Sequence, residues 1–227
     1  MKKIADSHER LCTDIIACGR CVRLRSYCAG VARDKRKSYA AETYWGQPVP
    51  GFGDPTGKLL IVGLTPAAHG ANRTGRMFTG DRSGQWLYRA LFRSGFANQA
   101  SFEHAKDGLE LKNCLVTTVG HCAPPDNKPR LDEIANCADY LTRTFDLLKP
   151  RIIVALGAIA WKGVFKELKS RKLWSRPPPR FAHGVEIVIH PHLVVIGSYH
   201  PSQQNTFTKR LTEPMFDSIF TTAKKLL

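Results

Sequence analysis

Three polar residues, each in a different glycine- or proline-rich segment, have the side chains of an acid–base site. Asp81 ends a glycine-rich stretch, Asn127 lies in a proline-rich turn, and His200 begins a His-Pro-Ser segment. A carboxylate can stabilise a cationic centre or deprotonate an attacking water, and an imidazole can donate a hydrogen bond to an oxygen that gains negative charge. These residue types suit a hydrolysis, provided that the fold brings their segments together.

Two of these residues also have a simpler structural explanation. Asp81 stands directly before Arg82 and Ser83 at the start of a helical pattern, where it can cap the helix. Asn127 follows two prolines and an aspartate, a composition typical of an ordinary turn. The two interpretations therefore have to be distinguished by where the chain puts these side chains.

Four of the seven cysteines form a second group with chemical potential. Cys18 and Cys21 make a Cys-x-x-Cys pair, and Cys122 and Cys137 make a second, more widely spaced pair. Four thiolates from two distant pairs can close on one metal centre, either a zinc ion or an iron–sulfur cluster. The spacing does not choose between these, Cys28 is a rival ligand, and unligated core cysteines are the plain alternative.

The elements that must position these groups follow the pattern of an α/β protein. Four short, nearly continuous apolar runs predict parallel strands covered on both faces, namely Leu59–Leu64, Cys114–Val119, Ile152–Leu156 and Leu193–Ser198. Helical patterns lie at Ser83–Gly95, Leu131–Leu148, Ala158–Leu168 and Glu213–Leu226, and a hairpin is predicted at Phe181–His190. This alternation predicts a three-layer α/β/α sandwich with a central, mainly parallel sheet of about four strands.

Three of the predicted strands end in unusually polar segments rich in glycine or proline. These are Gly63–Asp81, Gly120–Pro129 and Ser198–Arg210, here called the first, second and third loops. Ligands of open parallel sheets bind beyond the carboxyl ends of the strands. We therefore expect the three loops to converge on one edge of the sheet and to form the active site there.

The charge of the chain points to a polyanionic partner. Lys and Arg number 34 against 19 Asp and Glu in 227 residues, which gives a formal charge of +15. A generally cationic proteome or an anionic membrane surface are alternatives to a nucleic acid, but no apolar run is long enough to span a bilayer.

Charges interrupt the N-terminus, so we expect no signal peptide and a cytoplasmic protein. We expect one domain over residues 1–227, whose basic helical segment 1–37 is tied on by a metal centre.

The loop sequences resemble those of the uracil-DNA glycosylase superfamily, specifically family 5. The residues that carry this resemblance are Gly63-Leu64-Thr65-Pro66-Ala67-Ala68-His69-Gly70, Gly75-Arg76-Met77-Phe78-Thr79-Gly80-Asp81, Tyr199-His200-Pro201-Ser202 with Asn205, and Tyr44-Trp45-Gly46 with Phe52-Gly53-Asp54. The resemblance extends from about Cys18 to Leu211. It implies a DNA glycosylase that flips out deaminated bases and leaves an abasic site for base excision repair. No nucleophilic lysine is apparent, so we expect a monofunctional enzyme, and we also expect a monomer.

The resemblance also implies roles for individual residues. Asp81, His200 and Asn127 would be catalytic, with Asp81 at the sugar, His200 at the leaving base and Asn127 at the water. The base would be bound by Gly63, Leu64, Ala67, Ala68, His69, Gly70, Phe78 and Asn205. The DNA strand would be bound by Arg73, Arg76, Ser202, Phe207, Lys209 and Arg210, with Phe207 either a wedge in the DNA or a core aromatic. A [4Fe–4S] cluster would be held by Cys18, Cys21, Cys122 and Cys137.

Two positions depart from what the superfamily leads us to expect. Thr65 stands where family 5 more often has alanine, and it adds a hydroxyl beside the expected pocket. The second strand ends in Thr117-Thr118-Val119-Gly120-His121, without the asparagine with which uracil-strict members read a pyrimidine. Relaxed specificity is therefore expected, covering uracil, hypoxanthine and xanthine. The rival hypothesis is a non-catalytic iron–sulfur DNA-binding module, which explains the charge and the cysteines but not the three loops.

Overall fold

One sheet of six strands organises the computed structural model, which describes residues 6–227. Its strands are β1 (Phe52–Gly53), β2 (Leu59–Gly63), β3 (Cys114–Thr118), β4 (Ile152–Leu156), β5 (Glu186–His190) and β6 (Leu193–Ser198). They lie in the order β1-β3-β2-β4-β6-β5, in which the inner four are parallel and the two edge strands antiparallel. The predicted fold class is confirmed. The strand count of about four is low because β1 has only two residues and β5 belongs to the predicted hairpin.

Eight helices flank the sheet in the described residues. They are α1 (His8–Ile16), α2 (Val22–Asp34), α3 (Ala71–Thr74), α4 (Arg82–Arg93), α5 (Leu131–Leu148), α6 (Ala158–Ser170), α7 (Gln203–Phe207) and α8 (Glu213–Leu226). The first five residues of the predicted basic segment 1–37 lie outside the described residues. Among residues 6–227 no helix combines the length and the apolarity that crossing a membrane requires.

Successive residues of the inner strands supply two separate cores, as a sheet covered on both faces requires. Leu59 and Ile61 of β2 pack with α4 and α8 on one face. Leu60 and Val62 pack with α5 and α6 on the other. Every residue of β2 is buried. The nearly continuous apolar runs of the sequence therefore reflect a sheet with a helical layer on each side.

The register of the inner strands aligns the starts of the three loops. Gly63 at the end of β2 pairs with Thr118 at the end of β3, and Leu156 of β4 pairs with Ser198 at the end of β6. Because parallel strands end at the same edge, the loops that follow β2, β3 and β6 leave the sheet side by side. The fold thus meets the condition that the three polar residues of the sequence impose.

Candidate active site

A cavity of about 590 Å³ opens at the carboxyl edge of the sheet. This volume lies within the range of roughly 300–1,000 Å³ that is common for small-ligand sites. The first loop contributes Leu64, Thr65, Pro66, Ala67, Ala71, Met77, Phe78 and Asp81. The second loop contributes Asp126 and Asn127, and the third contributes His200, Ser202, Gln203 and Gln204. All three predicted catalytic residues therefore line a single cavity.

Asp81 is both the N-cap of α4 and part of the cavity wall. The Gly84 N–H donates to its Oδ1 at 3.0 Å. Its Oδ2 lies against Gly70, where an added Cβ would stand only 2.5 Å away. Burial raises the pKa of this carboxyl, against the N–H groups of Gly84 and Ser83 and the charge of Arg73, which lower it. Capping and chemistry are thus compatible in one residue, and a raised pKa makes its carboxylate a better proton acceptor.

His200 presents a neutral imidazole to the same cavity. Burial lowers the pKa of this ring to about 4, because desolvation disfavours the cation. At neutral pH one ring nitrogen therefore carries a proton that it can donate and the other is an acceptor. The ring lies beside that of Phe78, with centroids 5.9 Å apart and planes inclined by 28°. The Asn205 Nδ2 donates to the His200 carbonyl oxygen at 2.9 Å and so fixes the start of the third loop.

Phe78 is held in a strained conformation by two glycines. Its φ of 55° is rare for a bulky residue, and such strain is kept where the surroundings over-determine it. A Cβ on Gly63 would lie 2.9 Å from the Phe78 Cζ, and a Cβ on Gly84 would lie 1.6 Å from its carbonyl oxygen. The two glycines therefore make room for one fixed aromatic ring in the cavity wall.

Arg73 and Arg76, which were predicted to contact DNA phosphates, are buried inside the first loop. Arg73 is 7% exposed, pairs with Glu42 and donates to the His69 carbonyl oxygen at 2.8 Å. Arg76 is 4% exposed and forms a two-point ion pair with Asp107 at 2.7 Å. Since both guanidinium groups already have anionic partners inside the fold, they brace the loop from two sides.

The predicted base contacts divide into wall residues and supporting residues. Leu64, Ala67 and Phe78 line the cavity, whereas Gly63, Ala68, His69, Gly70 and Asn205 do not. The His69 Nδ1 lies 3.0 Å from the Tyr44 hydroxyl, and His69 lines a second cavity beside α2. Ala68 packs toward the buried cysteines. Gly63 and Gly70 act by leaving room for Phe78 and Asp81, and Asn205 acts by holding His200.

The third loop is exposed where the first is buried. Ser202 is the N-cap of α7, because its side chain accepts a hydrogen bond from the Asn205 N–H. It also lines the cavity. Phe207 is 59% exposed, which excludes the core aromatic considered from the sequence. Lys209 and Arg210 are also exposed, and Arg210 lies over the Tyr199 ring at 4.6 Å. These side chains are available to a ligand outside the cavity.

Sequence reasoning missed several residues of the cavity wall. Thr118 ends β3, and its hydroxyl donates to the Gly120 carbonyl oxygen at 2.8 Å. Arg82 begins α4 directly after Asp81, and Gln203 and Gln204 begin α7. The rule that strand ends meet at one edge could have identified Thr118. Adjacency to Asp81 could have identified Arg82.

The four predicted cluster cysteines lie together between the N-terminal helices and the second loop. Cys18 follows α1, Cys21 is the N-cap of α2, Cys122 lies in the second loop and Cys137 in α5. None of the four forms a disulfide in the part of the chain that the structure describes. Burial raises the pKa of Cys137 to about 12, and the charges of the other three add to the increase. Cys18 packs with Cys137, and Cys21 packs with Cys122.

The surroundings of these sulfurs suit thiolate ligands. The Asn136 Nδ2 donates to the Cys21 Sγ at 3.5 Å. Cys28, the rival ligand, contacts Cys122 and lies 3.5 Å from the Ala123 carbonyl oxygen. No three His, Cys, Asp or Glu side chains in residues 6–227 are arranged to hold a metal ion. A [4Fe–4S] cluster would hold its four thiolates farther apart than the ligands of a single ion.

Comparisons with known proteins match nearly the whole chain. A model of the uracil DNA glycosylase superfamily matches residues 50–224. The type-5 uracil-DNA glycosylase of Mycobacterium leprae is 47% identical over 98% of this chain and 96% of its own length. The type-5 enzyme of Thermus thermophilus is 41% identical over 93% of this chain and 94% of its own, and that of Pyrobaculum aerophilum is 43% identical over 87% and 84%. The matched regions contain all three loops that line the cavity.

Proposed function

The chain belongs to the uracil DNA glycosylase superfamily and is a glycosylase-type hydrolase, and we propose that its cavity excises uracil and other deaminated bases from DNA. The observation that carries this proposal is that Asp81, Asn127 and His200, from three different loops, line one cavity of nucleobase size. Two carefully shielded groups, a carboxyl with a raised pKa and a neutral imidazole, occupy it together. A purely DNA-binding module would not need either.

The base enters the cavity only after it has left the helix. The glycosidic bond cannot be reached inside a stacked duplex, so the nucleotide is turned out at a cost of about a few kcal/mol. The fixed ring of Phe78 offers a face for stacking, and base–aromatic stacking contributes about 1–3 kcal/mol. Exposed Phe207 fills the vacated space in the helix as an apolar wedge. Lys209 and Arg210 hold the neighbouring phosphates.

Hydrolysis breaks the bond between C1′ of the sugar and the base nitrogen. The bonding electrons leave with the base, and the imidazole N–H of His200 stabilises the anion by donating a hydrogen bond to a base carbonyl oxygen. The cation-like sugar is stabilised by the Asp81 carboxylate, which also accepts the proton of the attacking water. Asn127 positions that water. The oxygen of water ends on C1′, and an abasic site is left for base excision repair.

Two hydroxyls account for a broad choice of base. Thr65 and Thr118 line the cavity, and each hydroxyl can donate or accept a hydrogen bond. The Thr118 hydrogen is used by the Gly120 carbonyl, which leaves its oxygen as an acceptor. Uracil, hypoxanthine and xanthine present different patterns of donors and acceptors. A hydroxyl group can adapt to each of them because it can either donate or accept a hydrogen bond.

The enzyme works without a covalent intermediate on the protein. Schiff-base chemistry requires an amine that can attack C1′. Among residues 6–227, no lysine lines the cavity. The products are therefore a free base and an intact DNA backbone. We also expect a monomer in the cytoplasm, since the site is complete within one chain and its substrate is cellular DNA.

We also propose that Cys18, Cys21, Cys122 and Cys137 hold a [4Fe–4S] cluster. Such a cluster supplies four iron–thiolate bonds, which here would join the N-terminal helices to the second loop and α5. The second loop carries both Cys122 and Asn127. Iron–thiolate bonds to Cys122 and Cys137 would therefore fix the position of the loop that holds the water-binding Asn127. Purified protein should be brown and contain iron with acid-labile sulfide. Colourless protein with stoichiometric zinc would refute this assignment.

A single-turnover assay tests the function directly. Duplexes with one uracil, hypoxanthine or xanthine are incubated with excess enzyme, and abasic sites are revealed by alkaline cleavage. We expect base release from all three, and no strand cleavage before alkali. Absence of product from every duplex, with DNA affinity intact, would favour the non-catalytic binding module.

A further inference from the structure

Two exposed side chains, one at the start of α4 and one at the end of α7, meet beside the cavity. Arg82, the first residue of α4, lines the cavity next to Asp81. Phe207, the last residue of α7, is 59% exposed. The guanidinium carbon of Arg82 lies 4.4 Å from the centroid of the Phe207 ring, a cation–π contact. This contact joins the start of α4 to the end of α7 in the third loop.

Arg82 is the unpaired arginine of its helix. The other two arginines of α4 have acidic partners on α8: Arg89 pairs with Glu213 and Asp217, and Arg93 pairs with Asp217. Arg82 forms no ion pair with any residue between 6 and 227. A positive charge without a partner at the mouth of a DNA-binding cavity is suited to a phosphate.

The contact also covers an apolar ring that would otherwise face water. A guanidinium group covers only one face of Phe207, and its charge keeps much of its hydration at an exposed site. A gap between two bases covers both faces of the ring. DNA therefore offers each partner a better contact than the two residues offer each other.

We propose that Arg82 is a positioning residue that exchanges partners when DNA binds. In the free enzyme it stacks on Phe207 and holds the wedge beside the cavity. In the complex it binds the backbone phosphate next to the extruded nucleotide, and Phe207 moves into the space that the base has left. The proposal rests on the proposed function, since it requires that a nucleotide leaves the helix.

The exchange links strand binding to the chemistry. Arg82 is adjacent in sequence to Asp81, the N-cap whose carboxylate lies at the sugar. A phosphate fixed by Arg82 would hold the attached sugar against that carboxylate. Loss of Arg82 should therefore weaken both DNA binding and the alignment of the sugar, whereas loss of Phe207 should affect only the occupation of the gap.

The salt dependence of DNA binding separates a phosphate contact from a structural role. The affinity of each variant for a duplex with a single abasic site is measured at several salt concentrations. The variants are Arg82→Ala, Arg82→Lys and Phe207→Ala, with Arg93→Ala as the matched control. Arg93 is also exposed and lies at the other end of α4, about 16 Å away at the helical rise per residue.

Arg82→Ala should reduce the slope of log K against log [salt] by about 0.9, the value for one phosphate. Arg82→Lys should retain the slope because the charge remains, and Phe207→Ala and Arg93→Ala should retain it as well. In a duplex with 2-aminopurine beside the lesion, Phe207→Ala alone should abolish the fluorescence change that accompanies wedge insertion. KM should rise and kcat should fall in Arg82→Ala.

Three results would overturn the exchange. The first is an unchanged salt slope in Arg82→Ala, and the second is an equal decrease of the slope in Arg93→Ala. The third is a decrease of the slope in Phe207→Ala, because that would mean that the stacked pair persists on DNA. These slopes are measured on abasic DNA and do not require base release. If the wild-type protein releases no uracil, the proposed function fails while the phosphate contact of Arg82 is still decided.

Discussion

The first and third loops flank the same cavity, and both carry basic residues, but they use them in opposite ways. In the first loop, Arg73 and Arg76 are buried and paired with carboxylates. In the third loop, Lys209 and Arg210 are exposed. The same residue type therefore provides rigidity on one side of the cavity and a free charge on the other. Net charge indicates a polyanionic partner, but it does not identify the residues that touch it.

This division follows from what each side must do. Asp81 and Phe78 act on atoms of the base and sugar, so small displacements would be costly, and their loop is clamped by buried ion pairs and close-packed glycines. The third loop meets the surface of DNA, which it must enter and leave. Its helix α7 is five residues long, and Phe207 is exposed at its end. We infer a rigid catalytic side and an adaptable DNA side.

Removing Arg76 should cause the largest change, and the change should be in stability. Arg76 and Asp107 are nearly inaccessible, and burial would raise the pKa of Asp107 if the guanidinium did not lower it to about 2. Arg76→Ala leaves that buried carboxylate without its cation and with only the N–H groups of Leu109 and His104 as donors, which costs about 3–5 kcal/mol. Denaturant unfolding of Arg76→Ala and of Arg210→Ala, the control from the exposed loop, measures the difference. Equal losses of stability would remove the distinction between the loops.

Replacing Asp81 should slow the reaction without unfolding the loop. Asparagine can still accept the Gly84 N–H and cap α4, but it can neither stabilise the sugar cation as an anion nor accept the proton of water. Asp81→Asn should lower single-turnover base release by about a hundredfold and retain DNA affinity. Asp146→Asn, which changes an exposed carboxylate paired with Arg171 just after α6, serves as control. Unchanged release by Asp81→Asn would remove this residue from the mechanism.

The same variant makes a prediction of opposite sign for stability. A carboxyl whose folded pKa is raised stabilises the fold at low pH, and that contribution is lost as the pH rises through the folded pKa. At neutral pH the charged Asp81 therefore destabilises the protein, and a neutral cap should not. We expect Asp81→Asn to melt at a higher temperature than the wild type at pH 7 and to lose that advantage on acidification. A lower melting temperature would show that Asp81 is principally structural.

The pH dependence of base release tests both shifted groups at once. Asp81 must be ionised, so release should fall as the pH decreases through its raised pKa, which lies above the ordinary value of about 3.9. His200 has a pKa of about 4 and stays a neutral donor from there upward. The rate of base release should therefore not decrease as the pH rises through about 6.5, where an ordinary imidazole loses its proton. A decrease there would identify His200 as a cationic donor.

Long or continuous patterns in the sequence were sufficient for most of the fold. The predicted bounds of Leu131–Leu148, Ile152–Leu156 and Glu213–Leu226 agree with α5, β4 and α8. Their apolar periodicity extends over enough residues to outweigh local ambiguity. Helices α3 and α7 have four and five residues, too few to show a period, and neither was predicted. The convergence of the three loops followed from strand direction alone.

The division of labour between the loops could not be predicted from the sequence. The acidic partners of Arg73 and Arg76 are Glu42 and Asp107, each 31 residues away along the chain. Nothing local in the glycine-rich loop indicates which arginine is buried. Arg82, by contrast, was within reach of sequence reasoning because it follows the catalytic candidate Asp81. Whether an arginine is free to contact DNA depends on whether a carboxylate distant in sequence forms an ion pair with it. That can be read only from the folded structure.

The smallest expected effect belongs to the exposed loop and concerns binding alone. Lys209 is exposed and forms no ion pair within residues 6–227. Lys209→Gln keeps the length of the side chain and removes its charge, so unfolding free energy should change by less than about 0.5 kcal/mol. DNA affinity should weaken modestly, and the slope against log [salt] should decrease by about 0.9. Base release from the bound complex should stay at the wild-type rate, because the groups that act on the sugar are held by the other loop. A slower release from saturated complex would mean that the two sides of the cavity are mechanically coupled.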